Sequence, residues 1–87
     1  MNWSELIQQL EAGTVRAATQ DENGQWHANV EVKTGILDVF KNGTNIEFPG
    51  GFVDKHNLAV RGFSAEDGVR MVPGGSSVRP GAYVSKG

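Results

Sequence analysis

The first apolar side chains of the chain recur with the period of a helix. They stand at i, i+3, i+4 and i+7, and they are Trp3, Leu6, Ile7 and Leu10. Asn2 is a suitable amino-terminal cap, and Gly13 is a suitable stop just past the end. We therefore predict a helix at about residues 3–12, whose apolar stripe faces a core or an interface rather than a ligand.

The next segment alternates apolar and polar residues, which is typical of strands. Its centre is the turn Asp21-Glu22-Asn23-Gly24, and the Asn-Gly pair strongly favours a tight hairpin connection. We predict a β-hairpin with strands at about residues 14–20 and 25–30.

Helical spacing returns after the hairpin. The apolar positions are Val32, Ile36, Val39 and Phe40. We predict a second helix at about residues 31–41, ending at Asn42-Gly43. Gly35 lies inside this helix and should weaken it by about 1 kcal/mol relative to alanine.

The following segment is less regular. Residues 44–48 are compatible with a short strand, which Pro49-Gly50-Gly51 interrupts, and residues 52–63 show a mixed pattern that we interpret as irregular. Ser64 with Asp67 three residues later predicts one capped helical turn, which Gly68 stops.

Beyond residue 68, valines recur every six residues at Val72, Val78 and Val84. Small residues, Ser76 and Ala82, follow the first two valines by four positions. This spacing is typical of a hexapeptide-repeat β-helix, in which aliphatic side chains point inward. A glycine-rich loop with three valines would show the same spacing, so the pattern alone leaves both interpretations open.

These elements predict an α+β protein in two parts. A small amino-terminal domain of two short helices and a β-hairpin would occupy residues 1–68. The start of a left-handed parallel β-helix would occupy residues 69–87, with less than one coil present, because a coil takes three hexads, or about 18 residues.

Composition adds few candidates for function. A domain of 87 residues supplies a core worth only about 3–5 kcal/mol, and the chain has no cysteine for disulfides or thiolate zinc sites. Partner chains or further sequence are the expected source of additional stability. A net charge of −2 with scattered cations argues against nucleic-acid binding, and no apolar run approaches the roughly 20 residues of a membrane span. The amino terminus lacks the pattern of a secretory signal.

Several ordered stretches together point to one family. Residues 68–84 read GVRMVPGGSSVRPGAYV, and upstream stand LEAGTVRAA at 10–18, NGQW at 23–26, VKTGIL at 32–37 and GGFVDK at 50–55. This ordered set resembles the tetrahydrodipicolinate N-succinyltransferases, and residues 68–84 resemble the junction between their amino-terminal domain and β-helix. The resemblance implies that the chain is an amino-terminal portion of such an enzyme.

The resemblance also implies a function. The family transfers succinyl from succinyl-CoA, its cosubstrate, to the amine of ring-opened tetrahydrodipicolinate in lysine and diaminopimelate biosynthesis. Its members are cytoplasmic homotrimers with active sites between adjacent β-helices. The general base is expected beyond Gly87, so the resemblance implies no catalytic residue and no bound cofactor here, and the 87-residue chain alone is expected to be inactive.

One site residue follows from the resemblance. Arg70 matches the family arginine that binds the dicarboxylate substrate, and a guanidinium presents a planar, permanently charged fork to a carboxylate. Composition alone favours an ordinary surface arginine at Arg70, because exposed arginines are common. The alternative for the whole chain is a free-standing α+β interaction module that pairs with a partner chain through its tail.

The other polar candidates suggest structural roles. His27 and His56 lack metal-ligand spacing and are expected to be exposed, and no third group accompanies Asp54 and His56 to make a site. The acidic pairs Asp21-Glu22 and Glu66-Asp67 lie in predicted turns, where turn formation accounts for them better than acid–base catalysis does.

Overall fold

The computed structural model describes residues 2–87, and within them the chain forms two α-helices, two β-hairpins and one 3₁₀ turn. In chain order the elements are α1 (Trp3–Ala12), β1 (Ala18–Gln20), β2 (Trp26–Ala28), α2 (Val30–Lys41), β3 (Asn45–Phe48), β4 (Phe52–Lys55) and the 3₁₀ turn (Ala65–Asp67). The α+β class predicted from the pattern of apolar positions is therefore confirmed.

Helix α1 begins and ends where the sequence predicts. The side chain of Asn2 accepts a hydrogen bond from the backbone N–H of Ser4 at 2.8 Å, which satisfies one of the free donors of the first turn. Gly13 adopts a left-handed conformation, with φ of 77°, and its N–H donates to the carbonyls of Gln9 and Leu10. Both ends of the helix are thus capped by groups that the sequence supplies.

The core lies between α1, α2 and the segment that follows β4. Its buried apolar side chains are Leu6, Val32, Val39 and Leu58, which are 3%, 7%, 2% and 4% exposed. Gly35 lets the two helices approach, because a Cβ added to it would lie 2.6 Å from Cδ2 of Leu6. The glycine that weakens α2 locally is therefore required by the packing of α1 on α2.

The first hairpin has the predicted turn but shorter strands. β1 and β2 pair antiparallel, with Thr19 opposite His27, and they cover three residues each instead of the predicted 14–20 and 25–30. The prediction was wrong at residue 14 because the N–H of Thr14 donates to the carbonyl of Gln9 at 3.1 Å, completing the end of α1. It was wrong at residue 30 because α2 already begins at Val30.

The chain forms a second hairpin, whose strand β3 confirms the short strand predicted at residues 44–48 and whose strand β4 lies in residues 52–63, which were predicted to be irregular. β3 pairs antiparallel with β4, with Phe48 opposite Phe52 and Asn45 opposite Lys55. Gly50 and Gly51, with φ of 94° and 83°, make the connection. The prediction was wrong here because Pro49-Gly50-Gly51 is the loop of a hairpin rather than the end of regular structure.

The capped turn predicted at residues 64–67 is confirmed. A carboxylate oxygen of Asp67 accepts the backbone N–H of Ser64 at 2.8 Å and its hydroxyl at 3.3 Å. Gly68, with φ of 71°, follows and ends the 3₁₀ turn. This turn leads directly into residues 69–87, which we call the tail.

The tail contains bends but no strand. Gly68, Gly74 and Gly81 take positive φ values of 71°, 92° and 98°, at intervals of six and seven residues. The N–H of Gly87 donates to the carbonyl of Gly68 at 3.0 Å, which brings the two ends of the tail together. Each strand of a β-helix forms its backbone hydrogen bonds with the neighbouring coil, so less than one coil cannot form them. The β-helix therefore stays a prediction.

Candidate functional site

Arg70 lies near the start of the tail, two residues after Gly68. Its side chain is exposed, and within residues 2–87 it makes no hydrogen bond or ion pair. The arginines before and after it in the sequence, Arg61 and Arg79, are both engaged with protein groups. Arg70 therefore keeps its full set of donors available to a ligand.

Arg79 holds the tail against the second hairpin and α2. Its Nε donates to Oδ2 of Asp54 at 3.0 Å and its Nη2 donates to Oδ1 at 2.8 Å, which is the bidentate arrangement of a guanidinium on a carboxylate. The guanidinium carbon also lies 4.9 Å from the centre of the Phe40 ring. Hydrogen bonding from the Lys55 backbone N–H, assisted by Arg79, holds the pKa of Asp54 below its ordinary value.

Two further polar contacts hold the residues that follow Arg79. The N–H of Gly81 donates to Oε1 of Glu11 at 2.9 Å, and Arg61 donates to the carbonyl of Ala82. Arg61 also lies beside Glu11, with 3.7 Å between its Nε and Oε1. Residues 79–82 therefore lie over the apolar groove between α1 and α2, which is lined by Ile7, Leu10, Ile36, Val39, Phe40 and Leu58.

Both histidines are exposed, as predicted, and each supports a hairpin. His27 Nε2 lies 2.7 Å from Oδ2 of Asp21, and this contact is the main cause that lowers the pKa of Asp21. His56 Nδ1 accepts the backbone N–H of Thr44 at 3.1 Å. Among the residues that the structure describes, no group of three His, Cys, Asp or Glu side chains could hold a metal ion.

Asp21 of the first predicted acidic pair acts in its turn as predicted. One carboxylate oxygen of Asp21 accepts the backbone N–H groups of Asn23 and Gln25, both at 2.9 Å. Asp54 does not form a site with His56, because its partner is Arg79. Sequence reasoning missed this pair: the two residues are 25 positions apart, and no periodic signal connects them.

Across residues 2–87, neither helix has the length and apolar character needed to cross a bilayer. Within residues 2–87, Arg70 is a tail arginine without a hydrogen bond or an ion pair, and residues 79–82 fix that tail to residues 2–68, which we call the two-helix domain. Such a guanidinium can bind a carboxylate, because its parallel N–H groups match the two carboxylate oxygens.

Comparison with known proteins identifies the amino-terminal part. Residues 3–41, from the start of α1 to the end of α2, match the family described as tetrahydrodipicolinate N-succinyltransferase N-terminal. Residues 3–41 are therefore similar to the amino-terminal domain of this family. The resemblance predicted from the sequence is confirmed.

The similarity to members of the tetrahydrodipicolinate N-succinyltransferase family extends beyond α2. Relatives named 2,3,4,5-tetrahydropyridine-2,6-dicarboxylate N-succinyltransferase are 32% identical in Histophilus somni (strain 2336), 35% in Herminiimonas arsenicoxydans and 36% in Paracidovorax citrulli (strain AAC00-1). The alignments cover 95%, 95% and 94% of this chain and 32% of each relative. The chain thus spans about a third of the length of these relatives, and Arg70 falls inside the aligned part.

Proposed function

We propose that this chain is the amino-terminal part of an acyltransferase that moves succinyl from succinyl-CoA to the amine of ring-opened tetrahydrodipicolinate, in lysine and diaminopimelate biosynthesis. The observation that carries the proposal is the alignment of 95% of the chain with relatives named as N-succinyltransferases of a tetrahydropyridine dicarboxylate. The name of those relatives specifies an N-succinyl transfer onto a dicarboxylate, and such a substrate needs cationic partners.

Arg70 is the residue that we assign to substrate binding. Its guanidinium is exposed and makes no hydrogen bond or ion pair within residues 2–87, so no internal contact competes with a substrate carboxylate. Charge-assisted hydrogen bonds of this kind contribute about 1.5–3 kcal/mol each. Arg70 would anchor one carboxylate and thereby orient the substrate, while taking no part in proton transfer.

The remaining chemistry requires groups that we assign to the rest of the family sequence. The substrate amine attacks the thioester carbonyl, the C–S bond breaks, and CoA leaves with the electron pair of that bond. The amine proton passes to a general base, which we expect beyond Gly87. We therefore expect succinyl-CoA to be consumed only when the present chain is joined to those groups.

The backbone of the tail supports the proposed β-helix start at residues 69–87. Bends at intervals of six and seven residues match the corners of a triangular coil built from hexads. The hydrogen bond from Gly87 to Gly68 spans 19 residues, close to the roughly 18 residues of one coil. Val78 and Val84 are half-buried, as inward-facing positions require. Val72 is exposed, and we propose that a further coil of the β-helix would cover it. A homotrimer in the cytoplasm completes the proposal, as the family implies.

A chimeric enzyme tests the proposal. Residues 2–87 replace the aligned segment of the Histophilus somni relative, and release of CoA thiol is followed with succinyl-CoA and the dicarboxylate substrate. We expect turnover by the chimera and none by the 87-residue chain alone. A folded chimera without activity, or turnover by the chain alone, would contradict the proposed division of function.

The alternative function, a free-standing module that pairs with a partner through its tail, has weaker support. Residues 79–82 are already engaged by Asp54, Glu11 and Arg61 of the same chain. Sedimentation of the isolated chain distinguishes the two: an assembly that dissociates when the tail is deleted would favour the alternative.

A further inference from the structure

The tail covers part of the two-helix domain but contributes no side chain to its buried core. None of the four buried core side chains, Leu6, Val32, Val39 and Leu58, belongs to the tail. The tail instead makes polar and stacking contacts at its residues 79–83, where residues 79–82 also cover the apolar groove that Val39 and Leu58 help to line. Its detachment would leave the core contacts of α1 and α2 in place, so docking of the tail and folding of the domain are separable events.

We propose that the side chain of Arg79 holds the tail on the domain, because it binds Asp54 of β4 and stacks on Phe40 of α2 at the same time. We call this pair of contacts the latch. The guanidinium is shared between two elements, and its bidentate bonds fix both distance and angle. A lysine keeps the charge but has no planar fork, so it cannot reproduce these two bonds together with the ring contact.

The other tail contacts depend less on side-chain identity in the tail. Glu11 and Arg61 bind backbone groups of Gly81 and Ala82, which almost any sequence would present. Tyr83 lies under Arg16, with 5.1 Å between the guanidinium carbon and the ring centre, but both side chains are exposed. Within residues 69–87, Arg79 is the residue whose side chain forms an ion pair with the domain.

The latch is accessible to water, which makes it reversible. The side chains of Arg79 and Asp54 are 50% and 30% exposed, so dissolved ions reach and screen the pair. Docking of the tail also affects the position of Arg70 relative to the domain. Only the relevance of that position to substrate binding rests on the proposed function. The docking itself does not require that Arg70 bind a substrate.

Amide hydrogen exchange of the 87-residue chain tests the latch. The reporters are three hydrogen-bonded amides of the tail: Gly81, Ala82 and Gly87. In Arg79→Lys and in Asp54→Asn we expect these amides to exchange about tenfold faster, with the amides of α1 and α2 unchanged. Arg70→Lys is the matched control, because it makes the same substitution in the same tail at a side chain without a protein partner, and it should leave the reporters unchanged.

The double variant separates a direct contact from independent effects. Arg79→Lys combined with Asp54→Asn should accelerate exchange no more than either change alone.

Salt dependence is a second test. In the unmodified chain, raising sodium chloride from roughly 0.05 to 0.5 M should accelerate exchange of the same three amides, because the screening length falls to a few ångströms. Reporter amides that do not respond to salt or substitution, or acceleration spread equally over α1 and α2, would overturn the latch.

Discussion

Substitution of Gly35 by alanine tests the close packing of α1 on α2, because two opposing effects meet at this position. Alanine in a helix interior is favoured over glycine by about 0.8–1 kcal/mol. The new Cβ would, however, lie 2.6 Å from Cδ2 of Leu6, whose side chain is only 3% exposed. Leu6 therefore has little room to move aside, and overpacking of this kind costs about 1–3 kcal/mol. The net expectation for Gly35→Ala is a loss of up to about 2 kcal/mol.

The sign of the effect should reverse when the contact is removed. Leu6→Val deletes the δ carbons and costs about 1 kcal/mol by itself. In that background Gly35→Ala no longer meets Cδ2, so the helix propensity gain of about 1 kcal/mol should appear as added stability.

Urea unfolding followed by circular dichroism at 222 nm measures the free energy of unfolding. The four proteins compared are the unmodified chain, Gly35→Ala, Leu6→Val and the double variant. A thermal scan should show the same reversal, since 1 kcal/mol shifts the midpoint of a domain this small by about 4–8 °C. If Gly35→Ala stabilised the unmodified chain, or destabilised both backgrounds equally, the helices would not be packed as described.

Three further predictions concern stability. Asn2→Ala removes the acceptor of the Ser4 N–H and should lower the free energy of unfolding by about 1 kcal/mol, whereas Asn2→Asp should preserve it. Gly43→Ala should lower the free energy of unfolding by about 1–3 kcal/mol in the same assay, because a Cβ there would meet Oδ1 of Asn57 and lie 2.9 Å from Cβ of Lys55. An unchanged unfolding midpoint would refute this packing. The pKa of Asp21 is lowered in the folded chain by His27 and by the Gln25 N–H, so its stabilisation is present above the ordinary value of about 3.9 and is lost as pH falls through the lower folded value. Thermal midpoints measured between about pH 5 and 2 should therefore fall less steeply in Asp21→Asn, and parallel curves would count against the pairing.

The elements with a clear period were predictable from the sequence. The two helices lie within a residue of their predicted bounds, because their apolar stripes and terminal residues agree with each other. The strand β4 was not predicted, since Phe52–Lys55 is short and two of its four residues are charged. Its signal was the Pro49-Gly50-Gly51 loop between two phenylalanines, which pair across the hairpin.

The contacts that hold the tail were beyond what the sequence could predict. Arg79 and Asp54 are 25 positions apart, and Asp54 lies on β4, in a hairpin that was not part of the prediction. The proposed substrate-binding role of Arg70 came from the family resemblance, since an exposed arginine has no distinguishing local pattern. The structure adds that this side chain has no competing internal partner within residues 2–87.

The measurement that tests the central claim most directly is steady-state kinetics of the chimeric enzyme with and without Arg70→Gln. Loss of one or two charge-assisted hydrogen bonds should raise KM for the dicarboxylate about 10–100-fold, while KM for succinyl-CoA stays unchanged. Lys33→Gln, which removes an exposed charge from α2, serves as the control and should leave both constants unaltered. Equal KM values for the dicarboxylate in Arg70→Gln and in the unmodified chimera would contradict the assignment of Arg70 to substrate binding.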